Sequence, residues 1–338
     1  MLRLKQLKHS KLYKLWIAVY KMIHNSQTEI EQILKKVKQN KKYKSISDEV
    51  VRKEIESYLN SNPEIIKQTD KKKIFKKIIK EIRTRLHRLS AGYQTKGKNK
   101  RETYLDELKK IINSEQVNKK SSQETHQKNP QEKILENTNK CIDITNKILS
   151  TNISTKERLK DYYFIYNEIF KITGNPKIIA DLGAGINPVS FPYIKQANNL
   201  DLLIYYAYDI DNDDIKFIND YFKIMSKFGL EGKAEIIDIT NINNFDKLTK
   251  FDMIFMFKLV DLIDTKSKKK KKISEQIITY FLKNNKTKFI IVSFSTKTLS
   301  GKSMKLPKRK GFELMLLRNN LKFKVFSTDN EVFYVVSE

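Results

Sequence analysis

The chain has 338 residues, which is long for one compact domain, and its 67 Lys and Arg residues outnumber its 39 Asp and Glu residues by 28. An excess of this size indicates a polyanionic partner, either a nucleic acid or an acidic membrane surface. No stretch approaches the roughly 18 uncharged apolar residues of a membrane span. The single cysteine, Cys141, excludes an intramolecular disulfide framework and a cysteine-cluster zinc site. Composition therefore favours a soluble, intracellular protein that binds a polyanion.

Most of the positive charge lies in the first 100 residues, which contain 27 basic and 9 acidic residues. Within this region, apolar residues recur at the spacing of an amphipathic helix, while Lys and Arg occupy the other face. Three stretches show this pattern, namely residues 28–40, 47–60 and 71–90. We therefore expect residues 1–112 to form a small helical domain with a lysine-rich exterior.

A polar segment separates this region from the rest of the chain. Residues 113–135 contain almost no apolar side chains, so they predict a flexible linker. Helical spacing returns at residues 134–149 and 154–170. Ser154 and Glu157 fit a capping box, with Ser154 as the N-cap of the second of these helices.

From Lys177 onward, short apolar runs alternate with helix-like segments, which is typical of a parallel α/β sheet. The runs are KIIADLG, LLIYYAYDID, AEIIDIT, FDMIFMFKL, KFIIVSFS and EVFYVVS. Seven of the nine glycines lie between Gly174 and Gly311, and two of them directly follow the first run. We therefore predict a Rossmann-like α/β domain over residues 136–338.

The candidate site lies where the first three predicted strands end. Gly183 and Gly185 follow the first strand and would let the backbone approach a ligand closely, although a lone G-x-G also fits an ordinary tight turn. The second strand ends at Asp209 and Asp211, and the third ends at Asp238. Because the carboxyl ends of parallel strands meet at one edge of the sheet, these acids would line a single crevice.

The turn chemistry favours S-adenosylmethionine over a nicotinamide dinucleotide as the ligand of this crevice. The G-x-G turn lacks a third glycine that would face a phosphate, and S-adenosylmethionine has no pyrophosphate to bind at a helix N-terminus. The alternative is that Asp209 or Asp211 only caps the helix that follows it.

Several further segments occur in the order found in one known family, from about Glu29 to the C-terminus. They are Thr84-Arg85-Leu86-His87, Ala91-Gly92-Tyr93, Ser154-Thr155-Lys156-Glu157-Arg158-Leu159, DLGAGINP, YDID, Asp238, Phe257-Lys258-Leu259 and SFSTKTLSGK. In this order they resemble the aminoglycoside-resistance 16S rRNA guanine-N7 methyltransferases, the FmrO-type family. The resemblance implies a class I methyltransferase sheet over residues 136–338, preceded by an all-helical RNA-docking domain over residues 1–112.

The resemblance also implies methyl transfer from S-adenosylmethionine to N7 of a guanine in the decoding-site helix of small-subunit rRNA, with reduced aminoglycoside binding as the consequence. Guanine N7 carries an in-plane lone pair and no proton. The attack therefore needs no general base, and no side chain is expected to act by acid or base chemistry. We expect a cytoplasmic monomer whose partner is the small ribosomal subunit, with no metal and no stable membrane association.

By resemblance, the cofactor would be held from both ends. Arg158 would bind the methionine carboxylate, and Gly183 and Gly185 would pass beneath the methionine. Asp209 would accept hydrogen bonds from the ribose hydroxyls, and Asp238 would accept one from the adenine amine. The implied cofactor-binding set is Arg158, Asp181, Gly183, Ala184, Gly185, Asp209, Ile210, Asp238, Ile239 and Phe257.

Basic side chains would hold the RNA backbone, which positions the RNA without reading its sequence. Lys258, at the end of the apolar strand MIFMF, would reach the crevice and the target base. The implied RNA-binding set is Lys76, Lys77, Arg83, Arg85, Arg88, Lys258, Lys297, Lys302 and Lys305. The alternative for each helical lysine is a solvated helix face, and the alternative for Arg158 is a surface ion pair with Glu157 or Asp161.

Four positions depart from the family pattern, which has His, Cys, Pro and Arg where this chain has Asn152, Ala184, Ser295 and Lys302. Because Lys lacks the planar fork of Arg, the last change alters the grip on phosphate. Residues 1–28 and Lys268–Lys272 have no family counterpart, and the basic N-terminus suits a membrane surface as well as RNA. The sequence is also compatible with another rRNA or tRNA nucleotide as substrate, and with a non-catalytic RNA-binding or ribosome-assembly factor.

Overall fold

The computed structural model describes most of the chain, namely residues 28–62, 71–120, 130–198, 200–264, 272–297 and 309–338. Contacts divide the chain into two compact units, Met1–Gly92 and Tyr93–Glu338, here called the helical unit and the sheet unit. The expectations for residues 1–27 and 268–271, and for Lys302 and Lys305, fall outside the described residues. Within the described ranges, no helix is long and apolar enough to cross a bilayer.

The helical unit contains three helices where the apolar spacing predicts them. Residues 28–38 form α1, Asp48–Ser61 form α2 and Lys71–Leu89 form α3. Each helix buries one stripe of aliphatic side chains and leaves the opposite face polar, as the 3.6-residue period requires. The fully buried members of these stripes are Val37, Val51, Ile55, Ile82 and Leu86.

The sheet unit is built on seven strands in the order β3-β2-β1-β4-β5-β7-β6. The first five are parallel to one another, and β7 runs antiparallel between β5 and β6. The strands are β1 Ile178–Leu182, β2 Leu203–Asp209, β3 Leu230–Ile236, β4 Met253–Phe257, β5 Phe289–Ser295, β6 Lys322–Ser327 and β7 Glu331–Ser337. The predicted Rossmann-like α/β fold is therefore confirmed.

Helices cover both faces of this sheet, because alternate residues of each strand point to opposite sides. Ile179 belongs to the core on one face and Ala180 to the core on the other. The helices are α4 Arg101–Lys120, α5 Pro130–Leu149, α6 Ile153–Arg158, α7 Tyr162–Thr173, α8 Phe191–Ala197, α9 Asn212–Met225, α10 Val260–Asp264, α11 Ile273–Lys283 and α12 Lys310–Arg318.

Two strands differ from the sequence prediction. The third strand begins at Leu230 and ends at Ile236, earlier than the run AEIIDIT suggests. The strand β6 is absent from the prediction because it lies at the edge of the sheet and carries mostly exposed side chains. A sequence without a continuous apolar run gives no signal for such a strand.

The boundary between the units also differs from the expected one at residue 112. The helix α4 packs with the sheet unit, because Leu105, Leu108 and Ile112 are buried in the same core cluster as the sheet. The expected linker over residues 113–135 is helical at both ends, where α4 continues to Lys120 and α5 begins at Pro130. Only residues 121–129 of this segment lie outside the described part of the chain.

The expected capping box at Ser154 is wrong. Asn152 is the N-cap of α6, and its side-chain oxygen accepts a hydrogen bond from the Ser154 amide at 3.0 Å. The predicted helix over residues 154–170 is two helices, since α6 ends at Arg158 and α7 begins at Tyr162. This break points Arg158 into the sheet unit, where its side chain is 3 % exposed.

Candidate functional site

The carboxyl ends of β1, β2 and β3 form one edge, as the sequence predicts. Leu182 pairs with Tyr208 and Asp209 pairs with Ile236, so the residues after β1 and β3 flank the end of β2. The amides of Gly183 and Ala184 both donate to the Tyr208 carbonyl, at 2.8 and 3.0 Å. These two hydrogen bonds fix the G-x-G turn beside Asp209.

The G-x-G turn brings backbone close to an open space at this edge. Gly183 has φ +70° and Gly185 has φ +49°, both in the left-handed region that favours glycine. A Cβ at Gly185 would meet only the Nδ2 atom of Asn152, at 3.7 Å, whereas a Cβ at Gly183 would lie 2.8 Å from Leu259 Cδ1. The backbone at Gly185 is therefore the part of the turn that a ligand can approach.

Asp209 is held by three backbone amides. One carboxylate oxygen accepts from the Gly185 amide at 2.7 Å, and the other accepts from the Ile210 and Asp211 amides at 2.7 and 3.1 Å. A carboxylate offers about four acceptor positions, so capacity remains for a ligand hydroxyl. Burial, together with the charge of Asp214, raises the pKa of Asp209 to about 7.

For Asp211 the alternative interpretation, a cap of the following helix, is correct. Its side chain accepts from the amides of Asp213 and Asp214 and so forms the N-cap of α9. Asp209 instead bonds to the G-x-G turn and to the two amides that follow it. The two acids of the YDID segment thus have different positions, and Asp209 is the one that faces the glycine turn.

Asp238 and Ile239 lie in a turn after β3 and are 9 % and 6 % exposed. One oxygen of the Asp238 carboxylate accepts from the amide and hydroxyl of Thr240, at 2.9 and 2.6 Å. The Asp238 carbonyl accepts from Asn244 Nδ2 at 3.0 Å. Asp238 therefore shapes this turn, and its predicted contact with adenine stays a prediction.

Asp181 lies beneath the turn and does not line its open side. Its side chain is 1 % exposed and accepts from Asn187 Nδ2 at 2.8 Å and from the Tyr205 hydroxyl at 2.7 Å. The Asn187 side-chain oxygen in turn accepts from Tyr162 at 3.0 Å. Burial raises the pKa of Asp181 to about 6. This network supports the backbone of the turn, and the sequence alone did not reveal Asn187, Tyr205 or Tyr162 as its members.

Arg158 is buried and paired with Glu331, not with Glu157 or Asp161. Its Nε donates to a Glu331 oxygen at 2.7 Å, and the two side chains are 3 % and 0 % exposed. The guanidinium carbon lies 4.9 Å from the centre of the Phe257 ring. Burial opposes the charged form, but the charge of Glu331 raises the pKa of Arg158. Its Nη2 is buried and has no hydrogen-bond partner among the described residues.

Lys258 shares Glu331 with Arg158. Its Nζ lies 3.2 Å from the same Glu331 oxygen and also pairs with Glu157, and its side chain is 9 % exposed. The other Glu331 oxygen accepts from the Ser293 hydroxyl at 2.6 Å. Lys258 also has φ +54°, an uncommon backbone conformation for a residue other than glycine. The structure thus brings the predicted base-facing lysine beside the predicted carboxylate-binding arginine.

Glu331 was missed by sequence reasoning, although one signal pointed to it. It is the charged first residue of the otherwise apolar strand EVFYVVS, and a fully buried carboxylate requires a partner. Its partner Arg158 is 173 positions away in the sequence, so no local spacing could identify the pair.

These features fit a ligand that carries a carboxylate at one end and hydroxyl groups at the other. The guanidinium of Arg158 is a cation that suits a carboxylate, the backbone at Gly185 leaves space, and Asp209 is an acceptor for hydroxyl groups. Among the described residues, no group of three or more His, Cys, Asp or Glu side chains is placed to hold a metal ion.

The helical unit has an open groove of about 680 Å³ between α3 and the segment around Tyr43. Two residues of the predicted RNA-binding set, Lys76 and Arg83, line it. Arg83 also donates to the Lys36 carbonyl at 2.6 Å, which fixes its position. The full lining is Lys36, Gln39, Lys42, Tyr43, Lys76, Ile79, Lys80, Arg83, Thr84 and His87.

The remaining residues of the predicted RNA-binding set have different surroundings. Lys77 and Arg88 are exposed on α3 outside this lining. Arg85 has a structural partner, since its guanidinium carbon lies 5.0 Å from the centre of the Tyr58 ring and its Nε lies 3.4 Å from Glu81. In the sheet unit, Lys297 donates to the Asn330 side chain at 2.8 Å.

Comparison with known proteins gives a family match over the sheet unit. Residues 140–331, more than half of the chain, match the model of the ribosomal RNA methyltransferase (FmrO) family. A protein of Proteus mirabilis named 16S rRNA (guanine(1405)-N(7))-methyltransferase is 29% identical over 189 residues, which cover 56% of this chain and 58% of that protein. A protein of the same name from Micromonospora echinospora is 30% identical over 91 residues, which cover 27% of this chain and 31% of that protein. The chain thus spans less than two thirds of the length of these curated relatives.

Solved structures match over more of the chain. The 16S rRNA methyltransferase RmtF in complex with S-adenosyl-L-homocysteine has a TM-score of 0.62 at 17% identity, covering 92% of this chain and 98% of that one. The 16S rRNA methylase RmtB has a TM-score of 0.57 at 16% identity, covering 91% and 98%. At these identities the similarity concerns the fold.

Proposed function

Because the chain belongs to the ribosomal RNA methyltransferase (FmrO) family, we propose that it transfers a methyl group from S-adenosylmethionine to N7 of a guanine in 16S rRNA. The observation that carries the proposal is that the Asp209 carboxylate accepts from the Gly185 amide of the G-x-G turn at 2.7 Å, while Arg158 lies against Phe257, the last residue of the neighbouring parallel strand β4. The relatives from Proteus mirabilis and Micromonospora echinospora, which are named for this reaction, support the choice of base and atom.

In this proposal the chain binds the methyl donor from both ends. Arg158 Nη2 donates to the methionine carboxylate, the backbone at Gly185 lies against the methionine, and Asp209 accepts from the ribose hydroxyls. Asp238, Ile239, Ile210 and Phe257 complete the proposed cofactor site, whereas Asp181 acts from below through Asn187. When bound, S-adenosylmethionine supplies an electrophilic methyl group.

The chain contributes alignment to the reaction and no proton transfer. Guanine N7 attacks with a lone pair that lies in the plane of the base, and it carries no proton to remove. Lys258, held between Glu157 and Glu331, is the cation placed beside Arg158, and we propose that it contacts the target base or its phosphate. The base must leave its stack to reach a donor in the sheet unit.

The helical unit supplies the RNA-docking surface of this proposal. The groove lined by Lys36, Lys42, Lys76, Lys80 and Arg83 presents several cations on one face, which suits the phosphate backbone of folded RNA. We further propose that the protein acts as a cytoplasmic monomer on the small ribosomal subunit. Methylation at the decoding site would then reduce aminoglycoside binding.

The test is methylation of purified small ribosomal subunits with labelled S-adenosylmethionine, followed by mass mapping of the modified nucleotide. We expect label in one guanine of the decoding-site helix and no label with Arg158→Met, the matched variant. Label in a tRNA or at another nucleotide would contradict the proposed substrate. Preserved RNA binding without any binding of S-adenosylmethionine would instead identify a non-catalytic RNA-binding factor.

A further inference from the structure

Two cations in the segment Gln94–Arg101 contact the loop that follows Asp209. This segment lies near the N-terminal start of the sheet unit, outside residues 140–331, which the family model matches. These two cations, Lys98 and Arg101, belong to none of the sites described above. Both reach carboxylates at the N-terminal end of α9, more than 100 positions later in the chain.

Arg101 is almost fully buried, and all three nitrogens of its guanidinium donate hydrogen bonds. Its side chain is 3 % exposed, and Nη1 donates to Asp214 at 2.6 Å. Its Nε donates to the Thr151 hydroxyl at 2.6 Å, and Nη2 donates to the Gln94 side chain at 2.7 Å. Although burial opposes ionisation of Asp214, the charges of Arg101 and Lys98 lower its pKa. Arg101 thus joins α9 to Thr151, which directly precedes the N-cap Asn152 of α6.

Lys98 lies within 3.7 Å of three acids at the N-terminal end of α9, namely Asp211, Asp213 and Asp214. Its Nζ lies 3.1 Å from both oxygens of Asp211 and 3.2 Å from an oxygen of Asp214, and the lysine side chain is 21 % exposed. Burial lowers the pKa of Lys98, but Asp214 and Asp211 raise it above its usual value. The lysine therefore remains charged and balances part of an unusually acidic loop, in which Asp209, Asp211, Asp213 and Asp214 fall within six positions.

Lys98 and Arg101 do not contact Asp209 directly but contact residues that are bonded to its surroundings. Asp211, which Lys98 contacts, donates its amide to Asp209 at 3.1 Å. On the other side, Asn152 follows Thr151, which Arg101 contacts, and its Nδ2 is the nearest atom to a Cβ built at Gly185. The segment Gln94–Arg101 therefore contacts both the residues that follow Asp209 and Thr151, which precedes the Asn152 beside Gly185.

We propose that Lys98 and Arg101 are positioning residues for the adenosine-binding side of the cofactor site, where they fix Asp211 and Asp214 and thereby hold Asp209 in place and ionised. This inference rests on the proposed function, because it concerns the ligand of Asp209. The site then depends on a segment outside the family match. Because the contacts of Lys98 are with carboxylates, we expect that arginine can replace the lysine at position 98 but that a neutral side chain cannot.

Burial is the main cause that raises the pKa of Asp209, and the charged groups around the carboxylate modify this effect. Asp214 on α9 and Asp211 at its N-cap disfavour the ionised form of Asp209, and the Gly185 amide in the turn after β1 favours it. Lys98 and Arg101 face these acids from the segment, and Asp238 follows the neighbouring strand β3. Removing the positive charge of Lys98 leaves the negative charges of Asp211 and Asp214 less compensated. The pKa of Asp209 therefore rises.

The experiment is calorimetric titration of the full-length protein with S-adenosyl-L-homocysteine between pH 6 and pH 9. For the natural chain we expect affinity to rise with pH and to level off above about pH 7. In Lys98→Gln the midpoint of this rise should move up by about 0.5 to 1.5 pH units, the usual range for the loss of one nearby unit charge. Lys98→Arg should restore the original midpoint.

The matched control is Lys216→Gln, which removes a lysine from α9 that is 73 % exposed and pairs with Glu102 at 3.7 Å. It should leave the midpoint unchanged. A Lys98→Gln curve that matches the natural one would overturn the inference while the proposed function stands. Affinity lost equally at every pH, with an unmoved midpoint, would also overturn it, since that result shows only a structural link. If the natural chain binds no S-adenosyl-L-homocysteine at any pH, the proposed function itself fails.

Discussion

Three cations of the sheet unit, Arg101, Arg158 and Lys258, are buried and paired, whereas the basic residues on α3 of the helical unit are mostly exposed. Arg101, Arg158 and Lys258 are between 3 % and 9 % exposed, and each contacts a carboxylate that is 2 % exposed or less. Lys76 and Lys80 are exposed to solvent. The same residue types therefore serve two purposes, which the total charge of the chain cannot separate.

Burial explains the difference. A buried cation is unfavourable unless a carboxylate and further hydrogen bonds compensate it, so it is fixed in one place and can orient a ligand. An exposed lysine is hydrated and flexible, and it contributes to the field that attracts a polyanion. We infer that single substitutions in the sheet unit have large, specific effects, while those on α3 have small effects that accumulate.

The largest effect is expected for Arg158→Met. This change leaves Glu331 buried without its strongest partner and removes the donor for the proposed methionine carboxylate. We expect S-adenosyl-L-homocysteine binding to weaken by at least about 100-fold and unfolding to become easier by roughly 3 to 5 kcal/mol, the usual cost of breaking a buried pair. Calorimetry and chemical denaturation measure the two effects.

The double variant Arg158→Met with Glu331→Leu separates stability from binding. Replacing both members of a buried pair by apolar side chains is often close to neutral for stability. We therefore expect the double variant to regain most of the lost stability without regaining ligand affinity. Recovery of both would contradict the role of Arg158 as a ligand donor.

A smaller effect is expected from pH acting on Asp209. Ligand hydroxyl groups donate to its ionised form, and its pKa in the free protein is raised to about 7. Below that pH, binding must release a proton, so S-adenosyl-L-homocysteine should bind about tenfold more weakly at pH 6 than at pH 8. In Asp209→Asn this dependence should flatten, and an unchanged slope would show that another group, such as Asp181, is responsible.

The effect of pH on the stability of the free protein has the opposite sign to its effect on ligand binding. Because folding raises the pKa of Asp209 from 3.8 to about 7, the folded state holds a proton that the unfolded state has lost between these values. The contribution of Asp209 to stability is therefore present at low pH and is lost as the pH rises through about 7. Thermal unfolding of the free protein and of Asp209→Asn over this range checks the direction.

The smallest effect per residue is expected in the groove of the helical unit. Lys76→Gln and Lys80→Gln should each weaken binding of rRNA fragments severalfold and lower the slope of log affinity against log salt by about 1. Neither should change the affinity for S-adenosyl-L-homocysteine. Lys53→Gln, a lysine of α2 outside the groove lining, is the control. Equal losses in all three variants would show that the groove has no special role.

Local patterns in the sequence were sufficient for much of the fold and for one half of the site. Helical spacing located α1, α2 and α3, and the apolar runs identified the α/β sheet. The G-x-G turn and Asp209 could be placed together because parallel strands end at a common edge. Each of these inferences needs only the period of one element or the rule that relates neighbouring strands.

The other half of the site depended on tertiary contacts. Arg158 meets Glu331 because α6 breaks after Arg158 and because β7 inserts antiparallel beside β5, and neither event has a local signal. Lys98 reaches Asp211 across 113 positions for a similar reason. If a charged residue is buried, it must have a partner of opposite charge or a hydrogen-bond partner, and the sequence shows only that such a residue is present. Which residue becomes that partner is decided only when the chain has folded, since packing sets the distance between the two charges.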